Sequence, residues 1–127
     1  MSRTQVLGLI GIVEDDSGMR QGLSWLLAAA RFNVVVFASA EEFLQHTRDA
    51  EFDCLILDVR LPGMDGLALR KMLRERGRQM PILLMSGHDD AAIREQFRRA
   101  GVGQWLRKPF DGQALLDAVH AAVGGGA

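Results

Sequence analysis

Five short apolar runs, each followed by a stretch with helical periodicity, restrict how this chain can fold more than any other feature of it. The runs span 6–13, 33–37, 53–58, 81–86 and 102–107, and most are continuous rather than alternating hydrophobics. That is the pattern of strands covered on both faces of a parallel sheet. Between them, apolar residues share one side of a helix: Met19, Leu23, Leu26, Leu27 and Ala30 in the first, Ile93, Phe97 and Ala100 in the fourth, Leu115, Val119, Ala122 and Val123 in the last. Ser39 with Glu42 three residues on reads as a capping box, and Asp111 as the N-cap of the last helix. The alternation predicts an α/β fold, a doubly wound parallel sheet with right-handed crossovers.

A chain of 127 residues is long enough for one domain with a full core and too short for two ordinary ones. Residues 1–123 are expected to form it, with the glycine-rich 124–127 a flexible tail or the start of a linker. Fifteen Lys and Arg against sixteen Asp and Glu leave a net charge of -1, so nothing overall draws the chain to nucleic acid or anionic lipid. Cys54 is the only cysteine, which excludes an intrachain disulfide and fits a reducing compartment; inside CLILD it reads as a small buried hydrophobe. The run VLGLIGIV imitates a signal-peptide core but leads into EDD without a small-residue cleavage pattern. No segment approaches the roughly 18 apolar residues of a membrane span. The expectation is a cytoplasmic protein with no membrane partner.

Open α/β sheets bind ligands beyond the carboxyl ends of their strands. Strand one ends at Glu14, Asp15 and Asp16, strand three at Asp58, strand four at Ser86 and strand five at Lys108. Like charges packed together disfavour one another's ionised forms, so these acids need a cation. Hard oxygen donors that leave room for water suit magnesium, usually held by one or two carboxylates plus a phosphate. A phosphoryl group is then the natural companion: Asp58 the nucleophile that would form an acyl phosphate, Lys108 a point charge for its oxygens, Ser86 a hydrogen-bond donor. Each residue also has an ordinary reading. Asp16 suits a helix N-terminus as well as a metal, Asp58 and Ser86 suit turns, and Lys108 a solvated surface.

IVEDD (12–16), LILDVRLPGMDG (55–66), LLMSGHDD (83–90) and WLRKPF (105–110), in that order, resemble the receiver domain of bacterial two-component response regulators, and SAEEFL (39–44) with SGHDD (86–90) resembles the FixJ type. The resemblance covers 6–123 and implies a flavodoxin-like sheet of five parallel strands in order 2-1-3-4-5 with five helices. It implies that Asp58 accepts a phosphoryl group from a phosphohistidine of a sensor histidine kinase. Asp15 would ligate Mg2+ directly, Glu14 largely through water, and Arg60 through its backbone carbonyl. Ser86 and Lys108 would bind the phosphoryl group, and Lys108–Pro109 would be a cis peptide. Trp105 would be the aromatic switch residue, its inward rotation coupled to movement of Ser86 and reshaping the face of helix 4, strand 5 and helix 5. A phosphorylation-dependent homodimer, and DNA binding through an attached C-terminal output domain, belong to the same implication.

Glu14 stands where Asp is commoner in the family, and Ser86 lacks the methyl a threonine would pack. Arg60 and His88, two residues beyond Asp58 and Ser86, occupy positions that tune the lifetime of the phosphorylated state in such domains. Arg94, Arg98 and Arg99 form a basic helix face suited to solvent or protein; His46, His88 and His120 lack the spacing of a transition-metal site, and Met72, Met80 and Met85 read as core. Three other readings stand beside a switch. A degenerate receiver used only for protein contacts would lack part of the acid, hydroxyl and lysine set. A phosphatase of the haloacid-dehalogenase type needs an acid where this chain has Arg60, and a flavin module needs a Ser/Thr-rich loop after strand one.

Overall fold

Every residue of the third strand is buried, which is why its sequence shows no polar alternation. In the computed structural model, which describes residues 6–46 and 52–124, the elements alternate strictly. They are β1 (Gly8–Val13), α1 (Ser17–Ala29), β2 (Phe32–Phe37), α2 (Ala40–His46), β3 (Cys54–Asp58), α3 (Gly66–Glu75), β4 (Ile82–Ser86), α4 (Ala91–Ala100), β5 (Leu106–Arg107) and α5 (Gly112–Gly124). All strand pairs are parallel and the order is β2-β1-β3-β4-β5, as expected. Because successive side chains point to opposite faces, β3 splits between two cores. Leu55 and Leu57 join Phe43 of α2, Leu69 and Leu73 of α3, and Ile93 and Phe97 of α4. Cys54 and Ile56 join Leu23 and Leu27 of α1 and Leu115 and Val119 of α5.

Side-chain caps set the helix starts. Asp16 accepts from the Met19 N–H at 2.7 Å, Asp65 from Ala68 at 2.8 Å, Asp90 from Ile93 at 2.9 Å and Asp111 from Ala114 at 2.7 Å. At α2, the Glu42 N–H donates to the Ser39 hydroxyl at 3.0 Å. Asp16 is thus committed to capping, the ordinary one of its two readings. The expected tail lies largely outside the described residues, and α5 continues through Gly124.

The strand boundaries need correction. The fifth run, 102–107, yields only Leu106–Arg107 as strand. Gly101 ends α4 in the left-handed conformation (φ 74°), and the Val102 N–H donates to Phe97 O at 2.9 Å, so that amide closes a helix instead of joining the sheet. β1 begins at Gly8 and β2 reaches back to Phe32 opposite it; Leu7 N–H still donates to Arg31 O at 2.8 Å, but Arg31 is left-handed (φ 73°) and outside the strand. Asp53 precedes β3 and accepts from the Leu9 N–H at 2.7 Å through its side chain. Pro81 precedes β4, its carbonyl accepting from Leu55 N–H at 2.9 Å.

Candidate functional site

Parallel pairing brings the carboxyl ends of β1, β3, β4 and β5 to one edge of the sheet, and backbone bonds continue past the strand ends. Glu14 N–H donates to Phe37 O at 3.0 Å, Val59 N–H to Met85 O at 3.0 Å, and Lys108 N–H to Ser86 O at 2.7 Å. Glu14, Asp58 and Ser86 are consequently buried polar residues at 1%, 5% and 0% exposure. The cis peptide between Lys108 and Pro109 is present as expected.

Lys108 joins the two buried acids. Its Nζ lies 2.6 Å from Glu14 Oε1 and 3.2 Å from Asp58 Oδ2. Burial alone would lower the Lys108 pKa; the Glu14 hydrogen bond and the Asp58 charge outweigh it, so the net shift is upward and the lysine stays a cation. Oxygens of Glu14, Asp15 and Asp58 lie within 4.8 Å of one another, with Asp15 exposed at the rim. Three carboxylates facing one ammonium leave the cluster short of positive charge, and an all-oxygen donor set open to water fits a hard divalent ion. Such a cluster could hold a metal. Arg60 is exposed, and its N–H donates weakly to Asp58 Oδ1 at 3.4 Å, so it stands beside the cluster.

Ser86 reaches the same edge but its hydroxyl is engaged elsewhere. Its Oγ donates to His88 O and accepts from His88 N–H, both at 3.0 Å. The His88 side chain is exposed. Trp105 lies half-buried against Phe97 of α4, ring centroids 4.9 Å apart. The basic face of α4 is only partly neutralised: Arg94 pairs with Asp89 at 2.6 Å, an acid that Arg107 shares, and Arg98 and Arg99 both pair with Glu95. Met85 is fully buried and Met80 packs on the core, while Met72 is only half-buried. His46 meets the Phe37 ring edge-on, and His120 lies tilted against Phe32.

Two residues at the site escape a reading by residue type. Arg20 donates from Nη1 to the carbonyls of Glu14, at 2.8 Å, and Asp15, at 3.0 Å. Gly66 sits so close to β3 that a Cβ there would come within 2.2 Å of Asp58 O. For Gly66 the signal was the DG of the LPGMDG stretch; for Arg20 there was none, because it works on backbone.

The chain matches the response regulator receiver domain family over residues 10–120. It is 35% identical over 116 residues to the transcriptional regulatory protein FixJ of Bradyrhizobium diazoefficiens, covering 91% of this chain and 57% of FixJ. Nodulation protein W of the same organism is 41% identical over 115 residues, covering 91% and 51%. The chain thus spans about half the length of the curated relatives it matches. The solved full-length FixJ from B. japonicum is similar with a TM-score of 0.84 at 34% identity, covering 94% of this chain and 59% of that one. On the match along nearly its whole length, and on the fold and acidic cluster described above, this chain belongs to the response regulator receiver domain family.

Proposed function

We propose that the chain is a phosphorylation switch in which Asp58 accepts a phosphoryl group from a sensor histidine kinase. The observation that carries this reading is the Lys108 ammonium bridging Glu14 and Asp58, with Asp15 beside them, at the carboxyl edge of the sheet. In the transfer, an Asp58 carboxylate oxygen attacks phosphorus and forms a P–O bond as the P–N bond to the donor imidazole breaks. The nitrogen keeps the bonding pair and the ring leaves neutral, its other nitrogen carrying the proton. Lys108 remains protonated and turns from Asp58 toward the incoming oxygens. Ser86 exchanges its bond to the His88 carbonyl for one to a phosphoryl oxygen. Glu14, Asp15 and Asp58, with the Arg60 carbonyl, would hold Mg2+, whose charge, when bound, neutralises the phosphoryl oxygens.

Ser86 and Trp105 are the proposed moving parts. Ser86 is tied to the loop that leads into α4, and Trp105 packs on α4 through Phe97, so a shift of the hydroxyl can be transmitted to the face of α4, β5 and α5. Arg60 and His88, both exposed, are proposed to set how fast water removes the phosphoryl group. FixJ is a transcriptional regulator; by analogy the switch controls a transcriptional output in an attached domain, through a phosphorylation-dependent homodimer, in the cytoplasm. Among the described residues no helix is long and apolar enough to cross a membrane.

Beryllofluoride, which mimics an aspartyl phosphate, tests the site. Fluorine NMR should show a bound species that requires Mg2+ and vanishes in Asp58→Asn. A bound signal that survives that substitution would refute the assignment of Asp58.

A further inference from the structure

We infer that Arg20 is a positioning residue for the acidic cluster, fixing the backbone that carries Glu14 and Asp15; the inference rests on the proposed function and deepens it. Arg20 lies in the first turn of α1, where a cation opposes the helix dipole; the first turn itself carries no acid, and the Asp16 N-cap is occupied by the Met19 N–H. A residue that breaks a local rule in this way is expected to serve something other than helix stability.

The geometry shows what it serves. One guanidinium nitrogen donates to two successive carbonyls, Glu14 O at 2.8 Å and Asp15 O at 3.0 Å, and so fixes two adjacent peptide planes. The peptide that joins Asp15 to Asp16 is held at both ends: its carbonyl by Arg20, its N–H by Glu14 Oε2 at 3.3 Å. Its dipole therefore runs between a fixed cation and a fixed anion, in the favourable sense. The other oxygen of that carboxylate binds Lys108 at 2.6 Å. A continuous chain of contacts runs from Arg20 through one peptide and Glu14 to Lys108, with Asp15 carried on the peptide that Arg20 holds. Groups that orient ligands in this way typically change metal affinity by about 10- to 100-fold when removed.

The test uses Arg20→Gln and Arg20→Lys in the full chain, read by Mg2+ titration calorimetry and by hydrogen exchange at the Asp16 amide in metal-free protein. Arg20→Gln should weaken Mg2+ binding by about tenfold and speed Asp16 exchange, while exchange in the core strands stays unchanged. Arg20→Lys, which keeps the charge but not the planar fork, should recover part of both effects. Unchanged Asp16 exchange in both variants would overturn the inference, as would faster exchange with Mg2+ affinity within twofold of wild type. If wild type itself binds no Mg2+, the proposed metal site fails, and the exchange arm alone decides: acceleration sustains the positioning role and its absence refutes it.

Discussion

Replacing Lys108 by Met, which keeps much of the stem and deletes the charge, isolates the ammonium's contribution. At an effective dielectric of about 20, unit charges 2.6 and 3.2 Å apart attract by roughly 6 and 5 kcal/mol. Desolvating the three ions costs several kcal/mol each, so the intact arrangement is worth far less than that sum. The variant, however, leaves Glu14 and Asp58 buried and facing each other without a counter-charge. Truncating one partner of a buried pair costs about 3–5 kcal/mol; water entering at the open rim beside Asp15 lowers this to about 2–4 kcal/mol here. Urea unfolding of metal-free protein at pH 7 measures it. The pH dependence supplies a second check. Folding raises the Lys108 pKa above its ordinary 10.5, so its contribution is complete below 10.5 and is lost as pH climbs through the higher folded-state value. Wild type and Lys108→Met should therefore differ fully at pH 7 to 9 and converge only at strongly alkaline pH. A difference under about 0.5 kcal/mol at neutral pH, the level of an ordinary surface substitution, would refute the reasoning.

Gly66→Ala should destabilise by at least about 2 kcal/mol, because the added carbon meets rigid backbone at Asp58 rather than a side chain that can turn aside; chemical denaturation measures it. Arg31 holds a left-handed φ of 73° after α1, so Arg31→Gly should raise stability by about 1 kcal/mol in the same assay. The Cys54 thiol is pushed up to about 12, first by burial and then by the Asp53 charge. Folded protein at pH 8 should therefore carry thiolate in about one molecule in ten thousand, and iodoacetamide should label it only through opened molecules, at a rate that tracks their equilibrium population. Magnesium with beryllofluoride should change Trp105 emission in a Trp25→Phe background, which removes the exposed second tryptophan; an unchanged spectrum would remove Trp105 from the switch.

The sheet was legible because burial on both faces leaves a plain signature: β3 is apolar at every position but its last, and its two faces feed two separate cores. The acids were legible for a related reason, since a carboxylate directly after such a run lies at the sheet's carboxyl edge. Val102 suits a strand by its apolar side chain, but its amide is captured by α4 and the strand begins only at Leu106. Asp16 had two readings of equal chemical merit until its bond to Met19 was seen. Arg20 was invisible because its targets are carbonyls, which every residue carries, so no residue pattern marks them.

The account stands on Asp58 being a nucleophile in a site completed by a divalent cation. Intact-mass analysis after incubation with acetyl phosphate tests this most directly, in wild type and Asp58→Asn, with Mg2+ or with excess EDTA. A single added phosphoryl mass in wild type with Mg2+, and in no other sample, is the predicted result. Equal modification of Asp58→Asn, or of wild type in EDTA, would contradict it.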